Sequence, residues 1–126
     1  MAKQEKYPPL ILLIDTTQRE KTSVGLIGTD NVQVLAEEVR AQSLTELIER
    51  LLHSSKQSWD KISAVAVLTG PGSYTGTRMG VTVANTLGWL RKLPIYGLSE
   101  VSFEQACEKI KSHQLPRSNR RVKAWQ

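Results

Sequence analysis

The sequence predicts an α/β fold: a mixed five-stranded sheet with helices on its faces, in the order β-β-β-α-β-α-β-α. Three observations lead there. Three strand-like segments come first with only short turns between them, which is the pattern of an antiparallel meander. Strand and helix then alternate, as they do where crossovers link parallel strands. Finally, a turn with two glycines and a proline, Gly70-Pro71-Gly72-Ser73, joins a continuous apolar run to the longest helical pattern of the chain.

The elements follow in order. Residues 1–9 form a polar lead-in ended by Pro8-Pro9. Residues 10–14 are a continuous apolar run stopped by Asp15, read as a central strand buried on both faces. A polar turn over 16–21 leads to a second strand at 22–27, and Gly28-Thr29-Asp30-Asn31 is another turn signal. Val32, Val34 and Ala36 then alternate with more polar neighbours, which makes 32–39 a third strand; the valines speak against a helix there. Ser43-x-x-Glu46 has the spacing of a capping box and opens the first helix. Leu44, Leu47, Ile48, Leu51 and Leu52 form its apolar stripe up to Ser54-Ser55. A fourth strand, 62–69, runs into the glycine turn and the helix 74–92. Pro94 blocks continuation, 95–98 is a short fifth strand, and Ser99 or Ser102 starts a last helix through Lys111.

The long helix has three faces. Met79, Val83, Leu87 and Leu90 form an apolar stripe suited to a sheet. Gly76, Gly80, Ala84 and Gly88 recur every fourth residue and leave a face nearly free of side chains. That face can seat the helix against the first helix or admit a partner's backbone, and both readings stand. Arg78, Thr82, Asn85, Trp89 and Lys92 occupy the remaining side, where Arg and an exposed aromatic suit a protein interface.

Composition bounds the function. A chain of 126 residues is read as one domain, with 40% hydrophobic and 23% charged residues, ordinary for a soluble globular protein. No apolar run approaches the ~18 residues of a membrane span, and residues 1–7 are too polar and short for a signal peptide. The one cysteine, Cys107, has no partner for an internal disulfide, so a cytoplasmic location is expected. Residues 1–110 hold 12 Lys/Arg and 12 Asp/Glu; the net charge of +5 therefore lies in a basic tail, 111–126, with Lys111, Arg117, Arg120, Arg121 and Lys123. That tail reads either as a solvated end or as an arm for RNA backbone with Trp125 as a stacking residue.

Several chemistries fail on spacing. The glycine turn has no Gly-Lys-Ser/Thr, so it is not a Walker loop, and Gly70-x-Gly72-x-x-x-Gly76 is one residue too long for a dinucleotide fingerprint. What remains is a helix start where Ser73 or Thr75 caps free amides and Gly70, Gly72 and Ser73 could hold an anion. A nuclease needs several carboxylates around metal ions; Asp15, Glu46 and Glu49 are candidates, but the fourth strand ends in Thr69-Gly70 rather than an acid. Neither His53 nor His113 has a spaced partner, and Ser73 has no assignable base, so no protease triad forms.

Ile14-Asp15-Thr16, the string from Gly70 to Gly80 (GPGSYTGTRMG) and Pro94-Ile95-Tyr96-Gly97-Leu98-Ser99 resemble the bacterial TsaB (YeaZ) family over about residues 10–110. The resemblance implies a single lobe of the ribonuclease H-like, actin-like ATPase superfold. It implies a role in making threonylcarbamoyladenosine in tRNA as a non-catalytic accessory subunit of a TsaD-like enzyme, with a TsaE-like protein joining and tRNA met indirectly. The docking face it implies lies on the two helices: Leu44, Leu47 and Leu51 of the first, and Tyr74, Thr75, Arg78, Met79, Gly80, Thr82, Val83, Ala84, Thr86 and Trp89 of the second. The chain departs from the family in being a single-lobe version. Asp15-Thr16-Thr17 also lacks the glycine of the superfamily's Asp-x-Gly loop, so ATP is expected of the complex and no cofactor of this chain alone. Glu100 and Glu104 fall about where the catalytic sister has two metal-binding histidines; two carboxylates at a helix start are better explained by its dipole, and no metal is expected. Alternatives are a metal-dependent nuclease and a homodimer using the same helix face.

Overall fold

The computed structural model describes residues 9–115. The three leading strands are β1 (Ile11–Gln18), β2 (Lys21–Ile27) and β3 (Val32–Glu37). They are followed by a short 3-10 turn (Ala41–Ser43), helix α1 (Leu44–Ser54) and a second 3-10 turn (Trp59–Lys61). Strand β4 (Ala64–Gly70), helix α2 (Tyr74–Arg91), strand β5 (Ile95–Ser99) and helix α3 (Phe103–Lys111) complete the order. The predicted order β-β-β-α-β-α-β-α holds. The sheet runs β3-β2-β1-β4-β5, with β1 antiparallel to β2, β2 antiparallel to β3, and β4 parallel to both β1 and β5.

Burial explains the central position of β1 and β4. Leu12, Leu13 and Ile14, like Val65, Ala66 and Val67, are fully enclosed because helices cover both faces of the sheet. On one face Leu12, Ile14, Val65 and Val67 meet Leu44, Leu47, Ile48, Leu51 and Leu52 of α1 and Val81 and Ala84 of α2. On the other, Leu13, Ala66 and Leu68 meet Phe103, Ala106, Cys107 and Ile110 of α3.

Two local expectations change. First, β1 does not end at Asp15. It continues through Thr16 to Gln18, which pairs with Lys21 across a tight turn. Second, Ser43 makes no side-chain cap: its backbone (φ −87°, ψ 3°) is already wound into the preceding 3-10 turn and lacks the extended geometry of an N-cap. The capping box forms on α3 instead, where Ser102 accepts from the Gln105 amide and the Gln105 side chain accepts from the Ser102 amide.

The faces of α2 are also reassigned. The small stripe turns inward onto the sheet, not onto α1. A Cβ added at Gly76 would lie 2.6 Å from the Thr16 carbonyl oxygen, one at Gly80 would overlap the Thr16 side chain, and one at Gly88 would overlap Ile95. The helix backbone therefore rides directly on β1 and β5, an approach that larger residues would prevent. Met79, Val83 and Leu87 lie half-buried along its flank, and Leu90 is exposed.

Candidate functional site

α2 starts where the glycine turn is pinned to β1. The Ser73 amide donates to the Thr17 carbonyl at 2.7 Å, and a Cβ at Gly72 would strike that same carbonyl. The Ser73 hydroxyl accepts from the Gly76 amide at 3.2 Å, which makes Ser73, not Thr75, the N-cap. The Thr77 amide is bonded to the Ser73 carbonyl. Gly72 and Ser73 thus press on β1, while the Gly70 carbonyl accepts from the Glu100 amide at 2.8 Å just beyond β5. Beside it lies a cavity of about 500 Å³ between Arg19 and Arg40 on one side and Ser73, Tyr74 and Thr75 on the other. Both arginines approach Glu20, at 3.9 and 3.3 Å.

The outward side of α2 carries Thr75, Arg78, Thr82, Thr86 and Trp89, whose spacing of three and four places them in one row. Tyr74 flanks the row at its start and is 68% exposed; Trp89 at its far end is 78% exposed. The Arg78 guanidinium stacks over the Tyr74 ring, 4.6 Å from its centroid, and its shielded Nε has no hydrogen-bond partner among the described residues. The Thr86 hydroxyl donates to the Thr82 carbonyl at 2.8 Å, and short threonine side chains leave the middle of the row low between two aromatic ends. Large exposed aromatics with an arginine are the residue types that interfaces concentrate.

Of the expected docking residues, Tyr74, Thr75, Thr82, Thr86 and Trp89 are on the surface, with Arg78, Met79 and Val83 half-buried beside them. The others are corrected. Leu44, Leu47 and Leu51 are no more than 3% exposed because α1 turns its apolar stripe onto β2 and β3, and Gly80 and Ala84 are covered by the sheet. These five cannot touch a partner while the domain is folded. The structure adds Leu90, 63% exposed beside Trp89, and a second stack in which Arg91 lies 4.9 Å over the Trp59 ring. The pattern of residues did not reveal the second stack, because it joins α2 to a turn some thirty positions earlier.

Asp15 Oδ1 accepts from the Thr17 amide at 2.9 Å and from the Thr17 hydroxyl at 2.6 Å, an Asx-type pair of bonds where the register of β1 against β2 shifts. Glu46, Glu49, Glu100 and Glu104 are exposed, and no group of three or more His, Cys, Asp or Glu that could hold a metal ion stands together among the described residues. Burial pushes the Cys107 thiol above its usual pKa, with Glu104 and Glu108 adding to the rise. The Arg50 hydrogen bond holds the Glu37 carboxyl below the usual range. No helix among the described residues is long and apolar enough to cross a membrane. Arg117, Arg120, Arg121, Lys123 and Trp125 lie outside the described residues.

The family model described as TsaD, tRNA N6-adenosine threonylcarbamoyltransferase, matches residues 31–116. The tRNA threonylcarbamoyladenosine biosynthesis protein TsaB of Escherichia coli K12 is 37% identical over 92 residues, covering 71% of this chain and 39% of that protein. Its counterpart in Buchnera aphidicola is 29% identical over 111 residues, covering 84% and 52%. The chain therefore spans about half the length of these curated relatives, or less. Among solved structures, YeaZ from Pseudomonas aeruginosa superimposes with a TM-score of 0.71 at 23% identity, covering 83% of this chain and 50% of that one, which shows the shared fold. With a family model matched over most of its length and TsaB proteins among its relatives, the chain belongs to the TsaD family, among its TsaB (YeaZ) members.

Proposed function

We propose that this chain serves tRNA threonylcarbamoyladenosine biosynthesis as a non-catalytic partner, docking a TsaD-like protein on the outward row of α2. The observation that carries the reading is Trp89, 78% exposed on the same helix side as the Tyr74–Arg78 stack. Leaving an indole in water forgoes about 1.5–3 kcal/mol or more of burial, a loss that a partner surface would recover. The low threonine stretch between the aromatic ends would let a partner helix approach closely, and the Arg78 guanidinium stacked on Tyr74 would offer charged donors to that partner. A TsaE-like protein would join the assembled pair, ATP would belong to the assembly, and tRNA would be met through the TsaD-like subunit.

The test is a reconstituted tRNA modification reaction lacking its TsaB, supplemented with this protein or with Trp89→Glu, alongside pull-down by a cognate TsaD-like protein. The reading expects the wild type to bind and restore modification and Trp89→Glu to lose both. Equal binding by the two would move the interface elsewhere. Metal-dependent RNA cleavage abolished by Asp15→Asn would instead support the nuclease.

A further inference from the structure

Among the described residues, a second exposed apolar surface is unrelated to α2. It lies on β3, where Val32 and Val34 are 40% and 50% exposed and Ala36 is also open. These three share the sheet face of α3, in register with Ile27, Gly25 and Ser23 of β2. They extend the apolar surface that begins at Phe103, whose ring lies 3.1 Å from the position of a Cβ on Gly25. The opposite row of β3, with Leu35, is packed toward α1.

β3 is also an edge strand with no strand on its outer side among the described residues. Edges are normally guarded by charges, proline or a bulge. β3 has no proline, pairs with β2 in unbroken register, and carries one charge, Glu37. That carboxylate is held by Arg50 of its own α1, on the face away from the valines, so it guards nothing. Among the described residues the strand is thus free of bulges, uncharged along its apolar row, and open.

From these features we infer that β3 is a homotypic docking edge, at which a second copy of this chain adds its own β3 antiparallel about a two-fold axis. The occupant follows from self-complementarity. A two-fold centred on Val34 sets Val34 against Val34, Val32 against Ala36 and Gln33 against Leu35. It aligns both apolar rows on one face and puts Glu37 opposite Asn31, while the two acids that face each other, Asp30 and Glu38, lie beyond the strand ends. Shifting the centre to Leu35 would oppose Val32 with Glu38, and shifting it to Gln33 would oppose Ala36 with Asp30; each wastes an apolar pair. The resulting ten-stranded sheet would remove both open edges of β3. It would leave the outward row of α2 uninvolved, so it stands or falls apart from the docking proposed above.

The register makes the test specific. In the full chain, Val34→Cys should form a self-disulfide under mild oxidation, because only this position faces its own copy. Val32→Cys alone should not, whereas a mixture of Val32→Cys and Ala36→Cys should cross-link, with the bridges located by peptide mass. Cys107 is buried and serves as the internal control. Sedimentation of the wild type should show mass rising toward the dimer with concentration, and Val34→Lys should hold it at monomer with an unchanged circular dichroism spectrum. A wild-type monomer at every concentration, together with no Val34→Cys bridge, overturns the proposal. So does a dimer that survives Val34→Lys but dissolves with Trp89→Glu, which would assign self-association to α2. Dimerisation appearing only after removal of residues 116–126 would show that the edge is covered within the full chain, and that too overturns it.

Discussion

Thr16 donates its hydroxyl hydrogen to the Gly76 carbonyl at 2.6 Å, binding the end of β1 to the first turn of α2. Both residues are buried, and the same Thr16 side chain fills the hollow left by Gly80 one turn later. A single threonine thus sets the height at which the long helix rides over the sheet. It thereby fixes which residues of α2 face inward and which are left to face a partner.

Gly80→Ala should therefore destabilise the domain by about 1–3 kcal/mol, the usual range for overpacking a tight interior. The added methyl would overlap Thr16 Oγ1, and the backbone on both sides is held by the sheet. In a Thr16→Ala background the hydroxyl is gone, so the further cost of Gly80→Ala should shrink. Urea unfolding of the four proteins gives the coupling energy; strictly additive losses would show that Thr16 is not the obstacle.

Serine caps offer a paired test. Ser73→Ala removes the acceptor of the Gly76 amide and should cost about 1 kcal/mol. Ser43→Ala should be nearly neutral, since that hydroxyl makes no cap bond despite its Ser-x-x-Glu context. Thermal melts of both variants distinguish the observed caps from those suggested by spacing.

At the other end of α2, Lys92 occupies the left-handed region (φ 56°, ψ 46°) as the C-cap. Glycine adopts that conformation without the Cβ clash, so Lys92→Gly should raise stability by about 0.5–1 kcal/mol in chemical denaturation. A loss would mean that the lysine side chain contributes more than its backbone strain removes.

These sites show what the residue pattern reveals and what it hides. Periodicity identifies residues that share a face, and it correctly grouped Gly76, Gly80, Ala84 and Gly88, as it did Leu44, Leu47 and Leu51. It does not say what the face meets. Small residues suit a neighbouring helix and a close-lying strand equally, and only the long-range contact with Thr16 and Ile95 decides between them. Reading β1 as ending at Asp15 hid that contact, because it put Thr16 in a turn. Trp89 was legible for the opposite reason: no apolar neighbour at helical spacing claims its side of α2. The order of strands and helices was legible throughout, since Pro94, the glycine turn and the alternation at Val32 and Val34 are local signals that tertiary packing does not override.

Cys107 provides a stability reporter. Its thiol is buried among α3 contacts, and desolvation together with Glu104 and Glu108 raises its pKa, so the reactive thiolate is depleted at neutral pH. Alkylation by iodoacetamide should be much slower in the native protein than in the urea-unfolded chain. Fast native labelling would mean that α3 leaves the sheet readily.

The docking row and the core should also separate by mutation. Tyr74 and Trp89 are exposed, and truncating either to alanine removes little that the folded domain uses, so stability should change by no more than about 0.5 kcal/mol. Binding to a TsaD-like protein should nevertheless weaken tenfold or more for Trp89→Ala, about 1.4 kcal/mol, if the indole is an interface anchor. Leu47→Ala is the converse. That side chain is 1% exposed within the α1 cluster, so its loss should cost about 2–5 kcal/mol of stability. Enough folded protein should remain at low temperature for a binding measurement, and its affinity per folded molecule should match the wild type. Calorimetric titration alongside urea unfolding checks both halves. Weak binding by a folded Leu47→Ala protein would mean that α1 shapes the docking surface through its packing, and that the row on α2 is not the whole of it.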